Sequence, residues 1–200
     1  CEKCGAPLRV RRQTDRFQKR KIIMVCLVLL CWAGGFTFFF RDIIFWQNET
    51  NLEKHLDKAR LFHLTIIENL DFGQNASILG ELEIIFDEIS DFLQKNNSTD
   101  YDYIYDQIVS KAEFISTRIC SAYLTKHDVK HQWLDVRKCI KTDSDYRRAR
   151  VDWETTTIAI QNMVDTSGIT LTQGFIGSDN YGRTTTLGRE GSDYTAGIFA

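Results

Sequence analysis

Apolar residues recur at helical spacing through the middle of the chain. In "ILGELEIIFDEISDFLQ", Ile78, Leu82, Ile85, Ile89 and Leu93 share one stripe, which predicts an amphipathic helix. After the polar connection "NNSTDYD", the segment "YIYDQIVSKAEFISTRICSAYL" repeats the pattern with Ile104, Ile108, Ala112, Ile115, Ile119 and Ala122. The pattern then shortens. "KHQWLDVRKCI" reads as a brief strand around Trp133 to Val136, and a third helix is expected from roughly Trp153 to Met163. "GITLTQGFIG" is rich in Thr and Ile and reads as one strand ending near Gly177. Helix and strand alternate late in the chain, which favours an α/β architecture with a mainly parallel sheet. Two strands are too few for such a sheet, which must be covered on both faces, so the expected fold is an incomplete α/β domain.

Upstream the pattern is different. Ile22 to Phe40, "IIMVCLVLLCWAGGFTFFF", carries no charge and has the length of a membrane-spanning helix. Lys19, Arg20, Lys21 and Arg41 bracket it, and the basic side faces the N-terminus. The positive-inside rule places residues 1–21 in the cytoplasm and everything after Arg41 outside. Charge sharpens this division: residues 1–21 carry eight Lys or Arg against two acids, and the rest of the chain carries 17 against 25. The expected organisation is a basic segment at 1–21, a transmembrane helix at 22–40, a junction at 41–54 and an α/β body at 55–200.

Cysteine adds one candidate metal site. In "CEKCGAPL", Cys1 and Cys4 have the spacing of a zinc knuckle. Tetrahedral Zn²⁺ needs four ligands, so the pair is half a site, and a pair of reduced thiols is the alternative. Cys26 and Cys31 lie inside the apolar run and do not complete it. The four histidines, His55, His63, His127 and His131, show no pairing with a nucleophilic Ser or Cys along the sequence.

The chemistry of the body gathers near its end. Past Gly177, a loop from Ser178 to Gly191 leads into a helix. Ligands of open α/β sheets bind at such strand ends. Gly188 and Gly191 allow close backbone approach, Ser192 suits an N-cap, and Asp193 falls in the first turn. Amides at a helix start favour an anion, and Arg189 adds a planar, permanently charged fork. An anion site and an ordinary polar turn fit these residues equally well. Glu113, beside the apolar stripe of its helix, reads as a solvated glutamate.

"TTTLGREGSDYTA" resembles the aspartate kinase signature, which usually has Gly where Glu190 stands. "YDQIVSKAEFISTRICSAYL" is similar to the helix of that family that carries a glycine–glutamate pair. "WLDVRKCIKTD" and "TQGFIGSDNYGRTTTLGREGSDYTA" follow at the intervals of the family. The resemblance covers roughly residues 55–200. It implies a three-layer α/β/α amino-acid-kinase fold, here incomplete and preceded by one transmembrane helix. It also implies transfer of the γ-phosphoryl group of ATP, with Mg²⁺, to the β-carboxylate of L-aspartate, a step toward lysine, threonine and methionine.

Carried over position by position, the resemblance implies that Glu113 contacts the substrate ammonium group, that Arg189 and Ser192 bind the substrate, and that Asp193 is catalytic. Ala112 departs from the family glycine, and Glu190 places a negative charge beside the clamp. The family's lysine–phenylalanine–glycine–glycine phosphate loop has no counterpart in residues 1–54. The nucleotide-binding residues are therefore unassigned, and no phosphoryl transfer is expected from this chain alone. Nucleic acid is not an expected partner, whereas a homo-oligomer fits the family. A cytoplasmic location follows from the family, and membrane association follows from residues 22–40. The competing reading is a membrane-anchored ligand- or partner-binding protein that reuses a kinase remnant.

Overall fold

The computed structural model describes residues 49–72 and 77–200. Helix α1 spans Glu49–Asn69, α2 Ser77–Lys95 and α3 Tyr101–Lys126. Strand β1 (Gln132–Leu134) leads into a 3-10 turn at Val136–Lys138. Helix α4 spans Trp153–Met163. Strands β2 (Thr170–Thr172), β3 (Ile176–Ser178) and β4 (Thr184–Thr186) precede the last helix, α5 (Gly191–Ile198).

The helical layer follows the apolar stripes. Ile78, Leu82, Ile85, Phe86 and Ile89 of α2 are buried against Ile108, Ala112, Ile115 and Ile119 of α3. Burying side chains of this size contributes about 1.5–3 kcal/mol each before entropy is counted. Helix α1 has no counterpart among the sequence expectations. It adds Leu56, Ala59, Ile66 and Ile67 to the same core, with His63 buried among them. Burial pushes His63 down to about 4, so it sits neutral in the core. A histidine in the middle of the stripe hides this helix in the sequence. Caps fix the starts of the later elements. The Asp100 carboxylate accepts from the Asp102 and Tyr103 amides at α3, and that of Asp152 accepts from Thr155 N at α4.

The strands depart from the expected single parallel sheet. β1 and β2 pair in parallel, with Trp133 opposite Leu171, whereas β3 and β4 form an antiparallel hairpin, with Gly177 opposite Thr185. The run expected as one strand breaks between β2 and β3. There the Gln173 side chain turns inward, accepting from Val136 N at 2.9 Å and donating to Thr117 Oγ1 at 2.9 Å. Phe175 adopts a left-handed φ of 70°, which no strand continues through. The expected loop from Ser178 to Gly191 contains β4. Its hairpin closes through Asp179, whose carboxylate accepts from the Tyr181 and Arg183 amides, and through Gly182 at φ 76°.

The expectation of membrane association through one transmembrane helix is corrected. Among the described residues no helix is long and apolar enough to cross a membrane. The segment 22–40 that suggested it lies outside those residues, as do the basic segment 1–21 and Cys1 and Cys4. Among the described residues no group of three His, Cys, Asp or Glu is placed to hold a metal ion.

Candidate functional site

The strand-to-helix turn is built on a buried polar frame. Thr184, Thr185 and Thr186 of β4 are all buried. Buried hydroxyls need partners, and here they find them. Thr185 Oγ1 and Thr142 Oγ1 are 2.7 Å apart, and Thr186 Oγ1 donates to Asp106 Oδ1 at 2.7 Å. Asp106, wholly buried on α3, also accepts from Thr186 N at 2.8 Å and from Arg147 N at 2.9 Å. Burial pushes its carboxyl up to about 6, and these donors hold it from rising further.

From β4 the chain passes Leu187, whose amide donates to Phe175 O at 2.8 Å, and turns at Gly188. Gly188 has φ 78°, and a Cβ there would lie 3.1 Å from Arg147 O. Both the backbone sign and the close approach demand glycine at this point. Arg189 follows with its side chain 95 % exposed; among the described residues its nearest acid is Glu190 at 4.0 Å.

Helix α5 begins two residues earlier than expected. Glu190 occupies the cap position at φ 59° and makes no side-chain cap bond, so Ser192 lies inside the first turn and is not the N-cap. A left-handed φ at residue 190 explains why glycine suits this position and glutamate strains it. Gly191 N donates to Gly188 O and Tyr194 N to Glu190 O. The Ser192 and Asp193 amides are then the donors that this helix start offers to an anion. Ser192 is packed against Gly174, where a Cβ would meet its Oγ at 2.9 Å, and Asp193 is exposed. Thr195 Oγ1 accepts from Phe175 N at 3.0 Å and docks α5 on the kink between β2 and β3.

Glu113 lies on α3, the helix that also holds Asp106. It is half-buried, and among the described residues no hydrogen bond or ion pair reaches its carboxylate. Burial pushes it up to about 7. That is not the solvated glutamate read from the sequence. A bonded path links it to the turn: Thr117 Oγ1 donates to Glu113 O, accepts from Gln173 Nε2, and Gln173 precedes the Gly174 on which Ser192 rests. Asp106, Gln173 and Phe175 are not among the residues that the sequence singles out. A lone acid, amide or ring in an apolar stretch carries no signal until the fold buries the first two and twists the third.

A contact between Ser121 and His131 is likewise invisible in the sequence. Ser121 Oγ lies 2.7 Å from His131 Nε2, and His131 Nδ1 lies 2.8 Å from Val129 O. It joins the end of α3 to the approach to β1, away from the turn.

A polar-framed turn leads from a strand into a helix N-terminus, beside an exposed guanidinium, at a strand end of an α/β domain. The chain belongs to the amino acid kinase family, which it matches over residues 45–200. It is 37 % identical over 148 residues to lysine-sensitive aspartokinase 3 of Escherichia coli strain K12, covering 72 % of this chain and 32 % of that protein. It is 27 % identical over 143 residues to an aspartokinase of Chlamydia trachomatis, covering 71 % of this chain and 31 % of that one. The chain thus spans about a third of these relatives. Its fold matches E. coli aspartokinase III in complex with aspartate and ADP with a TM-score of 0.75 at 32 % identity, covering 83 % of this chain and 37 % of that one. The Clostridium acetobutylicum aspartate kinase shares the fold, with a TM-score of 0.59 at 18 % identity.

Proposed function

We propose that this chain forms the amino-acid-binding part of an aspartate kinase. Such an enzyme moves the γ-phosphoryl group of ATP, with Mg²⁺, to the β-carboxylate of L-aspartate. The observation that carries this reading is the unpaired Glu113 carboxylate, pushed up to about 7 on the helix that also anchors the Arg189 turn. A half-buried carboxylate without a partner is costly, and an ammonium group relieves it. Arg189 presents two parallel N–H donors to a carboxylate, and the Ser192 and Asp193 amides add the helix start. Ser192 borders the substrate, and Asp193, exposed in the first turn, is the catalytic carboxylate. A small zwitterion held at both ends is oriented, and orientation is most of what phosphoryl transfer asks of the acceptor side.

Among the described residues no three acids are grouped to hold Mg²⁺. The test is calorimetric titration of the chain with L-aspartate, with D-aspartate and succinate as controls. Saturable binding of L-aspartate, weakened in Arg189→Ala, supports the reading. Equal binding of succinate, which lacks the ammonium group, overturns the role of Glu113.

A further inference from the structure

The buried network behind the turn has a function that none of its surface residues reveals. We infer that Asp106 is a positioning residue that sets the aim of Arg189 without touching the ligand. This rests on the reading that Arg189 binds the substrate carboxylate.

Asp106 is a wholly buried carboxylate with three donors from two separate segments. Thr186 N and Thr186 Oγ1 come from the last residue of β4, three positions before Arg189. Arg147 N comes from the loop that precedes α4. Those two segments are also joined directly, because Ala149 N donates to Thr186 O at 2.9 Å. Arg147 is left-handed at φ 66° and Gly188 at φ 78°, and the absent Cβ of Gly188 lets the Arg147 carbonyl lie against it. Two left-handed backbone conformations therefore face each other across the turn, and both branch from partners of one carboxylate. At a non-glycine residue such as Arg147, this conformation persists only where the surroundings over-determine it. Among the described residues Arg189 makes no strong contact, with only Glu190 at 4.0 Å. Its direction is consequently inherited from the backbone, and Asp106 is the group that clamps that backbone from below. A charged acceptor suits this role, because three donors converge on it and a neutral amide would turn N–H toward at least one of them.

The experiment compares the chain with Asp106→Asn, Thr186→Val, Arg189→Ala and Asp106→Asn/Arg189→Ala. The first readout needs no ligand. Hydrogen exchange at the Thr186 and Arg147 amides and ¹⁵N relaxation across Leu187–Gly191 report how firmly the turn is held. Asp106→Asn is expected to speed exchange at both amides at least about tenfold, the loss of a charge-assisted buried bond, while α2 amides keep their protection. Thr186→Val removes one of the three donors and is expected to act in the same direction but less. It carries the test if Asp106→Asn does not fold.

The second readout is L-aspartate affinity. Asp106→Asn weakens it about tenfold in the wild-type background and not further in the Arg189→Ala background, because the effect passes through Arg189. Unchanged turn dynamics in every folded variant, or equal loss of affinity with and without Arg189, overturns the proposal. If the wild-type chain binds no L-aspartate while turn dynamics respond as described, the substrate reading fails and the clamp stands.

Discussion

The two halves of this domain bury different mixtures of side chain. Between α1, α2 and α3 the interior is Leu56, Ile78, Phe86, Ile89, Ile108 and Ile115, filled by shape. Around the strands Leu134, Val136, Ile140, Leu171 and Ile176 are buried as well, but beside them lie Thr142, Thr156, Gln173, Ser178, Thr184, Thr185 and Thr186, with Asp106 and Asp179, held by hydrogen bonds. An apolar interior tolerates small shifts, because dispersion is non-directional. A polar interior does not, because each donor must point at its acceptor. The polar half therefore fixes backbone positions more tightly, and the turn with Arg189 stands on that half. Phe175, Arg147 and Glu190, all left-handed non-glycine residues, belong to it as well.

The comparison breaks most visibly in the helical half. Phe86→Ala, at a residue 1 % exposed, is expected to cost roughly 3–5 kcal/mol in urea unfolding. Because Phe86 packs among the helices and not against the turn, the fraction that remains folded should bind L-aspartate with unchanged affinity. A parallel drop in affinity would mean that the two halves are not separable.

Arg189→Ala is the mirror experiment. The side chain is 95 % exposed, so unfolding stability should stay within about 0.5 kcal/mol of wild type. L-aspartate affinity should fall by about 2 kcal/mol, as for a lost charged hydrogen bond.

The pH dependence of Glu113 gives a third, smaller contrast. Its folded value, about 7, lies above its ordinary 4.5. Folding therefore favours the protonated form. Its contribution to stability is full at low pH and is lost as pH rises from 4.5 to about 7. Ammonium binding needs the ionised form, so L-aspartate affinity should rise between about pH 6 and 8 and then level off. In Glu113→Gln the slope disappears, and affinity at about pH 8 is about tenfold lower. Titration calorimetry at several pH values decides it, and a slope that survives the substitution assigns the proton to another group.

Glu190→Gly is the smallest change. Relieving φ 59° should raise unfolding stability by about 0.5–1 kcal/mol, the left-handed penalty less the extra freedom glycine gains when unfolded. Removing a negative charge beside Arg189 should also tighten L-aspartate binding slightly. A fall in the melting temperature would show that the Glu190 side chain supports the turn.

Much of the helical half is legible in the sequence. The stripes on α2 and α3 face the core as their periodicity predicts, and α4 spans Trp153–Met163 as expected. Helical burial repeats along the chain, and repetition leaves a periodic mark. α1 is obscured because His63 occupies a core position that normally reads as polar. The strands leave a weaker mark. Each has three residues, too few for alternation to register, and the break at Gln173 depends on partners from α3 and the 3-10 turn. Of the proposed site, Arg189, Ser192, Asp193 and Glu113 are legible through a resemblance of motifs, while their surroundings are not.

The sequence by itself determined which helices form in the middle of the chain and where the turn lies, because local periodicity and glycine positions are properties of neighbouring residues. Only the tertiary structure decided that Glu113 is half-buried and unpaired, that Glu190 is strained, and that Asp106 clamps β4 to the Arg147 loop. The clamp joins groups far apart along the chain, Asp106 and Thr186 being separated by 80 positions. Such pairing is settled by which buried donors find acceptors, and no local pattern encodes that.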